Sequence, residues 1–164
     1  KLYAYNLCRV YRSSYGMFIS NGILFNHESP RRGLNFVTNK IIEGACKIYR
    51  GEATELALGN LNATRDWGHA KDYVRAMWMM LQHDEPDDFV CSMGEARSVR
   101  ELCDIVFSKL DMDYKQFVTV DPKYYRPTEL TDLKGDCTKL KTVLGWSPNY
   151  TFESMIDEMV AARL

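Results

Sequence analysis

The first stretch whose residue types could do chemistry runs from Asn26 to Arg32 and reads Asn-His-Glu-Ser-Pro-Arg-Arg. It follows the nearly continuous apolar run 17–25, which has the length of a strand buried on both faces of a parallel sheet. Polar groups directly after such a strand lie at the carboxyl edge of the sheet, where doubly wound folds bind ligands. Two adjacent arginines favour an anion, although a solvated turn explains the same residues equally well.

A second candidate stretch, Arg-Asp-Trp-Gly-His, spans Arg65 to His69 just before a predicted helix. The guanidinium of Arg65 could hold a phosphate through two parallel hydrogen bonds, and Gly68 would let the backbone approach a neighbour closely. Trp67 is more typical of a core residue than of a stacking platform.

A third candidate stretch, Tyr-Tyr-Arg-Pro-Thr-Glu, spans Tyr124 to Glu129. Pro127 stiffens a loop that presents Arg126 and Glu129, a cation suited to phosphate and an acceptor suited to sugar hydroxyls. A surface ion pair is the simpler interpretation of these two residues taken alone. If the stretch is part of a site, Asn26, Arg65, Arg126 and Glu129 should line one pocket despite their separation along the chain.

Other kinds of catalytic site find little support. The three histidines lie far apart and form no metal-ligand pair, and the sequence contains neither a glycine-rich phosphate loop nor a nucleophile elbow. The five cysteines are scattered and are expected to be reduced packing residues. They are Cys8, Cys46, Cys91, Cys103 and Cys137.

The elements that must position these residues alternate between helices and strands, which predicts an α/β fold. Hydrophobic periodicity predicts a helix that ends near Gly16 and further helices over 36–49, from about 69, 98–110, 136–144 and from 152. Apolar β-rich runs predict strands at 17–25, 89–91 and 117–120, with two short strands around the Gly59-Asn60 turn signal.

Length and charge set the broad class. The chain has 164 residues, 21 Lys and Arg against 22 Asp and Glu, and a net charge of −1, which argues against nucleic acid or an anionic membrane as partner. It has no apolar run of about 18 residues and no signal-peptide pattern, so a cytoplasmic protein is expected. Its first predicted helix has no capping residue, which suggests the C-terminal part of a longer protein.

Several motifs together resemble the GDP-mannose 4,6-dehydratase family of extended short-chain dehydrogenases/reductases. The match runs the length of the chain and is most specific in Asn-His-Glu-Ser-Pro-Arg-Arg taken with Arg-Asp-Trp-Gly-His. Leu144 to Pro148 alone indicates only the wider group of nucleotide-sugar epimerases, dehydratases and reductases. The remaining motifs are Lys1, 21–25, Gly59-Asn-Leu61, 70–73 and Tyr124 to Glu129.

The resemblance implies a Rossmann-type parallel sheet followed by a smaller α/β lobe that holds the nucleotide sugar. Residues 1–50 would be the remnant of the NADP-binding domain, and 51–164 mainly the substrate lobe with some return to the sheet. Lys1 matches the lysine of the family's Tyr-x-x-x-Lys pair, which binds the nicotinamide ribose and lowers the pKa of the tyrosine. His27 and Arg32 match NADP contacts. The positions matching GDP-mannose contacts are Asn26, Lys40, Arg65, Arg126 and Glu129.

The implied reaction oxidises C4 of GDP-mannose, eliminates water across C5 and C6, and returns the hydride to C6, giving GDP-4-keto-6-deoxymannose. The family's glycine-rich loop, catalytic tyrosine, Ser/Thr partner and glutamate match positions before Lys1, so these 164 residues by themselves are expected to be inactive. Alternatives are another nucleotide-sugar epimerase or reductase, or a non-catalytic sugar-binding or subunit-interaction module. The family also implies a homo-oligomer, dimer or tetramer, in which 29–33 contacts a neighbouring subunit's cofactor.

Overall fold

A computed structural model describes residues 1–125, 128, 130 and 132–164 of the chain. The helices are α1 (Leu2–Tyr15), α2 (Val37–Tyr49), α3 (Ala70–Gln82), α4 (Val99–Ser108), α5 (Thr138–Leu144) and α6 (Phe152–Ala161). The strands are β1 (Asn21–Leu24), β2 (Asn26–Glu28), β3 (Leu56–Leu58), β4 (Thr64–Arg65), β5 (Trp67–His69), β6 (Asp88–Cys91), β7 (Arg97–Ser98) and β8 (Val118–Val120).

The strands pair mainly in parallel, which confirms the predicted α/β class. Strand β1 pairs with β6, β2 with β5 and β3 with β8, all in parallel, whereas β4 and β7 are antiparallel. In the β2–β5 pair, Asn26 lies opposite Trp67 and His27 opposite Gly68. The two most specific sequence motifs are therefore neighbours in space.

Local signals set several helix ends as predicted. Helix α1 ends at Gly16, which has a φ of 63°, and α5 ends at Gly145, with a φ of 65°. Helix α4 begins with a capping box, in which the Ser98 hydroxyl accepts from the amide of Glu101 and the Glu101 carboxylate accepts from the amide of Ser98.

The core forms where α2, α4 and α6 pack against β3 and Trp67, and a smaller cluster lies between α3, β6 and α5. Trp67 is 2% exposed, as expected of a core residue. The helical spacing of Met155, Ile156, Met159 and Val160 predicts an inward face of α6, and that face is buried. Four of the five cysteines are buried free thiols, and Cys8 is partly covered. The buried face of α6 comprises Phe152, Met155, Ile156, Met159 and Val160.

The prediction of one long strand over 17–25, covered on both faces, is wrong. Only Asn21–Leu24 forms the strand, and Met17 and Phe18 are each 46% exposed. Ile23 within the strand is 43% exposed. Strand β1 is hydrogen-bonded to β6 along one edge, and no other described strand lies along its opposite edge. Its apolar side chains therefore stay partly exposed.

Two further local predictions need correction, and a third is confirmed. Two short strands, β3 and β4, flank Gly59-Asn60 as predicted, and each pairs with a distant strand, β3 with β8 and β4 with β7. Residues Asn26–Glu28, expected in a loop, form β2. The helical spacing of Tyr73, Ala76, Met77 and Met80 predicts that all four face inward on α3, but Met77 is 38% exposed while the other three are buried.

Among the described helices, none has the length and apolar character needed to cross a membrane. Within the same part of the chain, no three His, Cys, Asp or Glu side chains are placed to hold a metal ion.

Candidate functional site

A cleft of about 250 Å³ lies where β2, the start of α2, the end of β3 and β4 meet. Strand β2 contributes Asn26 and Glu28, and β4 contributes Arg65. The loop before α2 and the first turn of that helix contribute most of a second wall. The other lining residues are Arg32, Asn35, Phe36, Val37, Lys40, Leu58, Gly59, Asn60, Ala63, Val99 and Tyr124.

Three basic side chains line this cleft. The Lys40 ammonium donates to the carbonyl of Ala57 at 2.8 Å and lies 3.8 Å from the centre of the Tyr124 ring. The Arg65 guanidinium donates from Nη1 to the carbonyls of Thr64 and Leu130, at 2.6 and 2.8 Å. The Arg32 guanidinium carbon lies 3.5 Å from the Phe36 ring centre. These contacts fix three cations around one cavity.

The N-terminus of α2 opens toward the same cavity. Its N-cap is Phe36, whose side chain supplies no capping hydrogen bond, and both Phe36 and Val37 line the cleft. An uncapped helix start presents amide donors and the positive end of the helix dipole. Together with Arg32, Lys40 and Arg65, it makes this part of the cleft suited to a phosphate-bearing ligand.

A buried carboxylate balances part of this positive charge. Glu28 is 1% exposed, accepts a hydrogen bond from the Thr38 hydroxyl at 2.6 Å and lies 3.1 Å from Arg32 Nε. Burial raises the pKa of Glu28, and the Thr38 hydrogen bond and the Arg32 charge oppose that rise. Because it is buried, the Glu28 side chain forms part of the cleft wall and has almost no contact with solvent.

Tyr124 reaches the cleft because Gly59 has no side chain. A Cβ at residue 59 would lie 2.6 Å from the carbonyl oxygen of Tyr124, well inside contact distance. The Tyr124 backbone therefore packs directly on the turn after β3, which places its ring beside the Lys40 ammonium. The ring gives the cleft an aromatic wall.

Four residues proposed from the sequence line this one cleft: Asn26, Arg32, Lys40 and Arg65. The expected meeting of Asn26 with Arg65 is thus observed. Arg126 and Glu129, the other two residues of that expectation, lie outside the described residues.

His27 and Lys1 lie elsewhere. Successive side chains of a strand point to opposite faces, so Asn26 and Glu28 line the cleft while His27 faces α3. The His27 ring centre is 5.4 Å from that of Tyr73, and Nδ1 is 2.9 Å from the Phe25 carbonyl. Lys1 is exposed at the start of α1.

Sequence reasoning missed the residue that organises the surrounding loops, Asp66. This fully buried carboxylate accepts from the amides of Met93, Gly94 and Gly135 at 2.7, 3.0 and 3.2 Å. It thereby joins the end of β4 to the loop after β6 and to the segment before α5. The position of Asp66 directly before Trp67, a residue expected in the core, was the available signal in the sequence.

Two motif residues, Gly68 and Trp146, pack against neighbouring elements of the fold. At Gly68, a Cβ would lie 2.5 Å from Cε2 of Tyr73 and 2.8 Å from the Met93 sulfur, so the close approach is to side chains. The Leu144–Pro148 motif docks on α3, because the Trp146 indole donates to the Asp72 carbonyl at 3.0 Å. The Asp72 carboxylate in turn accepts from the amides of Asn149 and Tyr150 at 2.9 and 3.0 Å.

A second, larger cleft of about 620 Å³ lies between 29–31, the start of α3 and α6. His69 is buried there, with Nε2 3.1 Å from Glu158 and its ring stacked 3.8 Å from that of Tyr150. Burial lowers the pKa of His69, and the neighbouring Glu158 opposes that change. Lys71 donates to both Glu158 and the Tyr150 hydroxyl at 3.0 Å, so the polar groups of this cleft pair largely with one another.

In a comparison with known protein families, residues 1–159 match the family model described as GDP-mannose 4,6 dehydratase. The human GDP-mannose 4,6 dehydratase is 51% identical over 179 residues, which cover 99% of this chain and 48% of that protein. A Vibrio cholerae GDP-mannose 4,6-dehydratase is 46% identical, covering 100% of this chain and 51% of that protein. The chain therefore spans about half the length of these curated relatives.

Solved structures show the same fold at lower identity. The structure of RMD from Pseudomonas aeruginosa complexed with NADPH matches with a TM-score of 0.88 at 21% identity, over 99% of this chain and 53% of that chain. The dTDP-glucose 4,6-dehydratase from Bacillus anthracis, in complex with NAD, matches with a TM-score of 0.82 at 18% identity, over 97% of this chain and 49% of that chain.

Proposed function

Because the chain belongs to the GDP-mannose 4,6-dehydratase family, we propose that it forms the nucleotide-sugar-binding part of such an enzyme and holds GDP-mannose in the cleft between β2, α2 and β4. The proposed reaction converts GDP-mannose into GDP-4-keto-6-deoxymannose. In the assembled enzyme, this chain would bind and orient the substrate.

The observation that carries the proposal is the meeting of four polar residues from three separate segments. Arg32, Lys40 and Arg65 surround the cavity beside the uncapped start of α2, which suits the two negative phosphates of a nucleotide diphosphate. Asn26 adds an amide that can donate to and accept from sugar hydroxyls. From the sequence, Arg126 would add a fourth cation and Glu129 an acceptor for hydroxyls.

We propose NADP as the cofactor, with Lys1, His27 and Arg32 as this chain's contacts. The bound nicotinamide would supply the hydride acceptor at C4 and the hydride donor at C6. His27 fits a ribose contact, because the proton that Nδ1 shares with the Phe25 carbonyl leaves Nε2 as an acceptor for a hydroxyl.

Lys1 and Arg32 would contribute through their positive charges. Lys1 is exposed, and its ammonium would favour the phenolate form of the family's tyrosine by charge attraction. The place of Arg32 in the cleft supports a contact with the substrate diphosphate in addition to the NADP contact that the resemblance implies.

Titration calorimetry of the 164-residue chain with GDP-mannose tests the proposal. We expect saturable binding that GDP competes for and that free mannose does not, since the charged diphosphate carries most of the recognition. A chain that is folded by circular dichroism and takes up no GDP-mannose would contradict it. Tighter binding of UDP-glucose or dTDP-glucose than of GDP-mannose would favour the alternative, another nucleotide-sugar epimerase or reductase.

A further inference from the structure

Glu28 stands out among the described residues that line the cleft, because it is the only acid there. A carboxylate beside a site for a doubly charged anion should weaken binding by direct repulsion. It is nevertheless 1% exposed and held by two partners, so its position is well defined.

Glu28 is one of three groups that hold Arg32. Its Oε2 lies 3.1 Å from Arg32 Nε, the Phe36 ring packs on the guanidinium at 3.5 Å, and the Asn39 side-chain amide donates to the Arg32 carbonyl. Arg32 itself keeps a side-chain exposure of 20%. A contact at Nε leaves the two terminal nitrogens of a guanidinium as donors for an anion.

The carboxylate is itself fixed from the helix side. Thr38, fully buried in the first turn of α2, donates from its hydroxyl to Glu28 Oε2 at 2.6 Å. The same oxygen faces Arg32 Nε, so Thr38, Glu28 and Arg32 form one chain of contacts that ends at the cleft.

We propose that Glu28 is a positioning residue, which sets the affinity of the cleft for the nucleotide diphosphate by holding the Arg32 guanidinium toward it. This inference rests on the proposed function. A guanidinium that is already oriented loses less conformational entropy when it binds an anion, and this gain is greater than the repulsion from a carboxylate whose charge Arg32 offsets.

Repulsion from the Glu28 charge would weaken binding of the diphosphate, whereas orientation of Arg32 by Glu28 would strengthen it. The variant Glu28→Gln distinguishes these two effects. This variant keeps the side-chain shape and removes the charge. If Glu28 acted only through its charge, GDP-mannose would bind more tightly to the variant. If it positions Arg32 through their close charge pair, we expect the dissociation constant measured by titration calorimetry to rise about tenfold.

Two further variants show whether the effect passes through Arg32. Thr38→Val removes the hydroxyl without changing any charge, and it should weaken binding in the same direction by a smaller factor. In an Arg32→Met background, Glu28→Gln should leave the remaining affinity unchanged, because there is no guanidinium left to orient. The matched control is Glu52→Gln, which breaks the exposed Arg50–Glu52 pair, 2.7 Å apart, and should not alter binding.

The outcomes separate this inference from the proposed function. A wild-type chain that binds no GDP-mannose overturns both. A wild-type chain that binds, with Glu28→Gln binding equally well or more tightly, overturns only the positioning role. The positioning role is also overturned if Glu28→Gln weakens GDP-mannose binding equally in the wild-type and Arg32→Met backgrounds, since Glu28 would then act independently of Arg32.

Discussion

At the scale of single residues, Lys40 gives the most direct test of the cleft. It projects from the first turns of α2, and its ammonium is fixed between the Ala57 carbonyl and the Tyr124 ring. Lys40→Met keeps most of the apolar stem and removes the charge. We expect the affinity for GDP to fall by about 1 to 3 kcal/mol, the range for a hydrogen bond to a charged group, measured by titration calorimetry.

Lys47 provides the control on the same helix. Its ammonium pairs with Glu43 at 3.5 Å, and it does not line the cleft. Lys47→Met makes the same change of net charge, so it should leave the affinity for GDP nearly unchanged. Equal losses from the two variants would show that only overall charge matters and that Lys40 has no particular role.

At the scale of elements, Asp66 joins three segments around the cleft through its bonds to the amides of Met93, Gly94 and Gly135. Asp66→Ala would leave these donors without their acceptor and open a small cavity. We expect the free energy of unfolding, measured in urea, to fall by about 3 kcal/mol. Asp104→Ala, at an exposed position of α4, should change it by less than about 0.5 kcal/mol.

Asp88 joins α1, β1 and β6. Its carboxylate accepts from Arg12 Nη1 and Asn21 Nδ2, both at 2.8 Å, and from the Tyr5 hydroxyl at 3.0 Å. Burial acts to raise the pKa of Asp88, but these hydrogen bonds and the Arg12 charge outweigh it and lower the pKa to about 2.

This lowered pKa predicts how stability depends on pH. The stabilisation from ionised Asp88 is complete above the unfolded-state pKa of about 3.9 and is lost as the pH falls through about 2. Between pH 6 and pH 3, the free energy of unfolding should therefore drop by about 1 kcal/mol more in the wild type than in Asp88→Asn. Parallel pH profiles from urea unfolding would contradict this assignment.

At the scale of the whole molecule, apolar side chains remain exposed on α1 and beside β1. Tyr3 is 78% exposed, and Met17 and Phe18 are each 46% exposed. Surface of this kind favours association. We expect light scattering after size exclusion to give a mass above the 19.0 kDa of one chain. Phe18→Glu should reduce the association, whereas Val143→Gln on α5 should not.

The chain alone is also expected to lack dehydratase activity. The chain spans about half the length of its curated relatives, whereas hydride transfer needs cofactor, base and sugar together in near-attack geometry. Incubation with GDP-mannose and NADP⁺ should yield no 4-keto-6-deoxy product. A chimaera in which this chain replaces the matching part of the human relative should form it. Turnover by the chain alone near the typical enzyme value of about 10 per second would contradict this expectation.

The sequence by itself determined the helices and the kinds of side chain available to the cleft. Periodicity places α2 and α6, and periodicity with a capping box places α4, because the signals for a helix lie within a few residues of one another. The family resemblance also singled out Asn26, Lys40 and Arg65, which line one cleft. That the chain is the C-terminal part of its relatives stays a prediction.

Tertiary structure alone decided which strands pair and which side chains share a cleft. The Gly59-Asn60 turn signal predicted two short strands but not their partners. Strand β3 pairs with β8, some sixty residues away, because pairing energy depends on contacts that no local window contains. Within β2, alternation of side chains along the strand directs Asn26 and Glu28 toward the cleft and His27 toward α3. Burial of Glu28 against Thr38 and Arg32 likewise arises only when α2 packs beside β2.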